Sequence, residues 1–144
     1  MMQTIRNTRR AIVATLILTA TLSILPAFAE PHRAEAYTYT PKRICDIDWR
    51  KGRWHVKKLI RCAANRWDVG VGTALYVADR ESDFRPKAYN PSSCAKGVFQ
   101  HLCRYWDGRA HAYGFRGKSP YNARANVIVT MKMVKRYGWS PWGI

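Results

Sequence analysis

Four cysteines, Cys45, Cys62, Cys94 and Cys103, lie downstream of a segment patterned for export. Arg6, Arg9 and Arg10 precede an apolar run from Ala11 to Leu25, followed by Pro26 and the small-residue pattern Ala27-Phe28-Ala29. Basic, apolar and A-x-A segments in that order form a secretory signal. The run is short and interrupted by Thr15, Thr19, Thr21 and Ser23, which argues against a membrane anchor. Cleavage is expected after Ala29, or after Ala36 of a second pattern, Ala34-Glu35-Ala36. Residues 1–36 are therefore read as signal peptide and leader, leaving a small domain with a limited core. An even cysteine count in such a chain implies two disulfides, with three pairings open. A zinc site fits poorly, because there is no C-x-x-C and the spacings are long and unequal. No metal and no cofactor is expected.

Charge narrows the surroundings. From Tyr37 onward, 21 of the 25 Lys and Arg remain against 7 of the 9 acids. Such a surface is drawn to polyanions. Nucleic acid, anionic lipid and the bacterial wall all carry the right charge, and export favours the wall. The expected location is secreted or in the cell envelope. No nucleic acid, no stable membrane insertion after signal cleavage and a monomeric state are expected.

The remaining sequence reads as mostly helical. Residues 37–50 have no helical period and form an expected irregular arm held by Cys45; residues 51–144 are the domain proper. From Arg53 to Trp67, the spacing of Val56, Ile60, Ala63, Ala64 and Trp67 predicts an amphipathic helix. A second helix is expected from Thr73, as N-cap, to Ser82, ended by Pro86 and by Asn90-Pro91. Residues 92–118 carry Gly97, Gly108, Gly114 and Gly117 among aromatics and read as loops and short turns. A last helix is capped by Ser119, carries Pro120 at its first position and stops at Gly138. Its stripe is Ala123, Val127, Met131 and Val134.

Glutamate is scarce: the three are Glu30, Glu35 and Glu81. On the second helix, 100° per residue places Glu81 on the stripe of Val71, Ala74, Leu75 and Ala78. Asp79, Arg80 and Asp83 fall on other sides. A carboxyl at the edge of an apolar face is partly desolvated, which favours the protonated form. A carboxyl held neutral can serve as a general acid. The plainer alternative is a helix-end glutamate paired with Arg80, Arg85 or another base.

The words around Glu81 add to this. Glu81-Ser82, Pro86-Lys87-Ala88-Tyr89-Asn90 and Gly97-Val98-Phe99-Gln100 occur in order. They are followed by Gln100-His101-Leu102-Cys103, Tyr105-Trp106 and Gly138-Trp139-Ser140-Pro141-Trp142. The series resembles the goose-type lysozyme and lytic transglycosylase superfamily, and in particular its small exported subgroup. The likeness spans about Val56 to Trp142. It implies an α+β lysozyme-like fold with a loop-rich cleft, acting on peptidoglycan glycan strands. By the resemblance, Glu81 is the catalytic acid at the bond between N-acetylmuramic acid and N-acetylglucosamine. The implied substrate-binding set is Gln100, Ser93, Phe99, Tyr105 and Asn126, with a structural tie to loop backbone as the alternative for Asn126.

Two departures from the family pattern matter. The later segment whose tyrosine assists the acid has no counterpart, since Tyr121-Asn122-Ala123 precedes its helix and lacks the glycine. Cys94 and Cys103 stand where the subgroup carries Gly and Pro, which suggests a clip across one loop. The expected pairs are Cys94 with Cys103 and Cys45 with Cys62, the latter tying the arm to the first long helix. With no second carboxylate evident beside Glu81, a transglycosylase is preferred over a muramidase-type hydrolase. Asp79 and Asp83 turn away along the helix, and Asp107 reads as a turn residue. A non-catalytic cationic wall-binding or membrane-active protein is the alternative from another class. A wall peptidase built on Cys94 and His111 is the remaining one, disfavoured because the thiol is expected to be oxidised. Of the aromatics Tyr89, Phe99, Tyr105, Trp106, Trp139 and Trp142, about half are expected to pack the core.

Overall fold

A helix buries a stripe only if another element covers it, and three of the four helices among the described residues carry such stripes. The structure, a computed structural model, describes residues 43–144. The expected leader, with Glu30 and Glu35, and positions 37–42 of the arm lie outside the described residues. Helix α1 spans Arg53–Arg66 and buries Val56, Leu59, Ile60, Ala63 and Ala64. Helix α2, Val71–Ser82, buries Ala74, Val77 and Ala78. Helix α3 spans Cys103–Ala112. Helix α4, Ala123–Tyr137, is buried at ten of its positions, Ala123, Val127, Met131 and Val134 among them. Helix α1 packs on both α2 and α4, and α3 packs on α4. Among the described residues, no helix is long and apolar enough to cross a membrane.

Between α2 and α3 lies a three-stranded antiparallel sheet of two-residue strands in the order β1-β2-β3. Strand β1 is Tyr89–Asn90, β2 is Ala95–Lys96 and β3 is His101–Leu102. The register sets Tyr89 opposite Lys96 and Asn90 opposite Ala95, then Ala95 opposite Leu102 and Lys96 opposite His101. Extended by one step, the β2–β3 register brings Cys94 opposite Cys103. These two are joined by a disulfide, and the Cys103 amide donates to the Cys94 carbonyl at 3.1 Å. The hairpin is thus stapled at its open end. The second disulfide joins Cys45 to Cys62 on α1 and holds the irregular segment before a 3₁₀ turn at Trp49–Lys51. Both pairs match the expectation.

Two boundaries and one whole helix differ from the sequence reading. Helix α2 begins earlier than Thr73: the Ala74 amide donates to Gly70 O at 3.0 Å, so Gly70 is the N-cap and Thr73 sits within the first turn. The half-buried Val71 packs against the core and draws that turn into the helix. Helix α4 is capped by Asn122, whose Oδ1 accepts from the Ala125 amide at 3.1 Å, rather than by Ser119. The Ser119 hydroxyl accepts from the Tyr121 amide and so closes the turn before the helix, leaving Pro120 outside it. The largest difference is α3, in a stretch read as loops. Its buried stripe is only Trp106 and Ala110, too thin to stand out, and Gly108 sits on its exposed side.

Candidate active site

The hairpin turn Gly97–Gln100 is the point where the helices meet the sheet. Gly97 has φ +81°, and a Cβ there would collide with Pro120 O and Asn126 Nδ2. Only glycine lets the chain pass so close to α4. Three side chains hold the turn. The Ser82 hydroxyl, at the end of α2, donates to Val98 O at 2.8 Å. Asn126 on α4 accepts from the Phe99 amide through Oδ1 at 2.9 Å, and its Nδ2 donates to Lys96 O and Pro120 O. Trp142 Nε1 donates to Phe99 O at 2.9 Å. The Phe99 ring is wholly buried near Trp139 and Trp142, at centroid distances of 6.2 and 6.4 Å.

Because Ser82 is bonded to the turn, the preceding residue is fixed beside it. Glu81 lines two hollows, of about 490 and 510 Å³, and shares both with Asn90 and Gln100. The first also takes in Arg80, Ser93, Ala95, Leu102, Arg109, Pro141 and Trp142. The second continues past Arg85, Lys87, Ala88, Tyr89 and Pro91. Among the described residues, Glu81 is the only carboxylate lining either hollow, against four cationic side chains. Its side chain is a quarter exposed, and Oε1 lies 3.6 Å from an Arg80 nitrogen. That same Arg80 nitrogen donates to Trp142 O at a shorter 2.7 Å. The pairing with Arg80 named as the plainer alternative therefore exists, as the weaker of two ties on one guanidinium.

Gln100 adopts φ +46°, a left-handed backbone rare for residues other than glycine, which costs of order 1–3 kcal/mol. Its amide nitrogen donates to Gly97 O at 2.8 Å and to Ala88 O at 3.3 Å. The side chain thereby bridges the turn to the segment before β1 and sits in the wall of both hollows.

The expected site residues divide clearly. Glu81, Gln100 and Ser93 come together in the first hollow. Phe99 and Asn126 do not reach it: both are fully buried, so they hold the turn rather than touch a ligand. The placement of Phe99 among binding residues is corrected, and for Asn126 the alternative of a tie to loop backbone is the one found, for a simple reason. The turn is so tight that its second side chain, and the helix residue behind it, face the core. Tyr105 is half exposed on α3 outside both linings, with the Arg109 guanidinium 5.2 Å from its ring centroid. Arg80 was expected to fall away from Glu81, yet it lines the first hollow because its long side chain reaches back to Trp142. Asp79 is exposed and Asp83 pairs with Arg53 at 2.8 Å. Asp107 is exposed on α3, not in a turn. The Cys94 sulfur is locked in its disulfide, which removes the Cys94–His111 nucleophile reading.

Arg109 is the residue that sequence reading missed. Its Nη1 donates to His101 Nδ1 at 3.0 Å. His101 is fully buried, and its Nε2 lies 2.8 Å from Thr130 Oγ1. An arginine has only donors, so Nδ1 must accept and the ring proton sits on Nε2, donating to Thr130. The Thr130 hydroxyl in turn donates to Asn126 O at 2.8 Å. Burial, with the Arg109 charge second, pushes the His101 pKa down to about 3. The chain of bonds thus runs from the hollow through the hairpin to the residue that holds the turn. A separate hollow of about 330 Å³, between the arm and the start of α4, is lined by Arg43, Asp46, Asp48 and Arg124 among others. It contains none of the expected site residues.

No family model, no curated protein and no solved structure matches this chain.

Proposed function

We propose that this chain cleaves the β-1,4 bond between N-acetylmuramic acid and N-acetylglucosamine in peptidoglycan, as a lytic transglycosylase on a lysozyme-like fold. The observation that carries the reading is the solitary carboxylate. Glu81 is the one carboxylate, among the described residues, in a pair of adjoining hollows otherwise edged by amides, cations and uncharged side chains such as Leu102, Tyr89 and Trp142. A glycosidase that admits water ordinarily sets a second carboxylate about 5–9.5 Å from its acid. Asp79, Asp83 and Asp107 line neither hollow, so among the described residues no second carboxylate faces Glu81 there.

One acid suffices when the nucleophile belongs to the sugar. Protonated Glu81 gives its proton to the bridging oxygen as the C1–O bond breaks. The 6-hydroxyl of the muramyl residue then closes on C1, and the Glu81 carboxylate takes its proton. The acid is regenerated, no water is consumed and the product ends in a 1,6-anhydro ring. The resemblance around Glu81-Ser82 and Gly97-Val98-Phe99-Gln100 supports the same assignment. So does the basic lining, which suits a wall rich in carboxylates. Digestion of purified peptidoglycan followed by mass spectrometry tests the reading: anhydromuramoyl ends are expected. Products heavier by one water, with reducing muramic ends, would instead make the enzyme a muramidase.

A further inference from the structure

We infer that Arg109 is an anion anchor in the first hollow, the one of about 490 Å³, and that its ligand is a carboxylate on the lactyl-peptide arm of muramic acid. The inference rests on the proposed reaction for the identity of the sugar, but its evidence is separate. Arg109 is partly buried and lines the hollow that contains Glu81. Among the described residues it has no carboxylate partner and no backbone acceptor. Its one hydrogen bond goes to a buried neutral histidine. Every other exposed-to-groove cation there differs: Arg80 is already committed to Trp142 O and Glu81.

A guanidinium has five donors in a fixed plane. His101 uses one, and the Tyr105 ring lies 5.2 Å from its central carbon. Both contacts set the plane without neutralising the charge. Burial pushes the Arg109 pKa down, which expresses the cost of holding an unpaired cation there. A planar, bidentate anion satisfies the open donors and offsets that cost. Carboxylates are the anions that distinguish muramic acid from its N-acetylglucosamine neighbour. Arg109 therefore gives the hollow a means of telling the two sugars apart and of fixing which bond faces Glu81.

The test uses the Glu81→Gln protein, so that binding is read without turnover. The probes are a wall tetrasaccharide with free lactyl carboxylates and the same molecule with those groups converted to methylamides. Calorimetry should show the acid binding about 10- to 100-fold tighter than the amide. Adding Arg109→Gln should bring that ratio close to one, and Arg109→Lys should restore only part of it. Should the Arg109 variants fail to fold, the Arg109 Nε resonance in the Glu81→Gln protein decides. It should shift on titration with the acid and stay still with the amide. Equal affinity for acid and amide, or an undiminished ratio without Arg109, overturns the anchor. Anhydro products with equal affinities would sink the anchor and leave the reaction standing; discrimination without cleavage would do the reverse.

Discussion

Acidification should unfold this domain earlier than its carboxylates alone would dictate, and the cause is His101. In the folded state the ring is fully buried, takes an N–H from Arg109 at Nδ1 and donates from Nε2 to Thr130. A second proton would have to sit on Nδ1, facing a guanidinium, and its pKa is accordingly about 3. In the unfolded chain it returns to the ordinary value near 6.5. Between those limits the unfolded state binds one more proton than the folded state. Stability from the neutral ring is therefore complete above about pH 6.5 and is lost as pH falls. The slope is about 1.4 kcal/mol per pH unit for one proton. From pH 6.5 to 5 the loss is about 2 kcal/mol, before most carboxylates begin to titrate. Urea denaturation at pH 7.5 and 5.0 measures it, with His101→Gln as the reference, since glutamine keeps a donor toward Thr130 and cannot titrate. The wild type should lose about 2 kcal/mol more than the variant. Parallel losses within about 0.5 kcal/mol would refute the buried neutral ring.

Other perturbations give sharper yes-or-no outcomes. Glu81→Gln, which is isosteric, should melt within a few degrees of the wild type yet clear peptidoglycan suspensions about 10²–10⁴-fold more slowly; a wild-type rate would make Glu81 structural. The double change Cys94→Ala with Cys103→Ala opens a bridge spanning 9 positions and should cost about 2–3 kcal/mol, or roughly 10–15 °C in Tm. Gly97→Ala puts a methyl group into Pro120 O and Asn126 Nδ2 at a positive φ and should cost about 2–4 kcal/mol by urea denaturation. A Gly97→Ala protein as stable as wild type would mean that the turn does not approach α4 so closely.

Much of the helical frame could be read from spacing because α1, α2 and α4 each bury a stripe wide enough to repeat. Helix α4 was clearest, with its stripe continuous from Ala123 to Val134 and Gly138 closing it at φ +72°. Caps were less legible. Ser119 and Asn122 are both good capping residues, and the choice between them depended on which amide each could reach once Pro120 was pinned to Asn126. Helix α3 was hidden for a different reason. It buries two side chains, and the Cys94–Cys103 staple holds its first residue as much as any local preference does. A helix fixed by a covalent tether and one tryptophan leaves little periodic trace.

The same distinction explains which site residues could be found. Glu81 was legible because its position follows from one helix and its own stripe. Gln100 was legible through a motif whose glycine turned out to be sterically required. Phe99 was found but given the wrong duty, and for Asn126 the structural tie named as the alternative is the one present, since a motif records that a residue matters to the turn without recording which way it faces. Arg109 had no such signal. Its significance needs three elements at once: α3 to carry it, β3 to bury His101 against it, and α4 to supply Thr130. A charged residue in a chain with 25 Lys and Arg stands out only when the fold denies it a partner. That denial is the argument for treating it as functional. A cation held half out of water by a neutral ring, beside Glu81, is costly to keep unless something negative arrives to meet it.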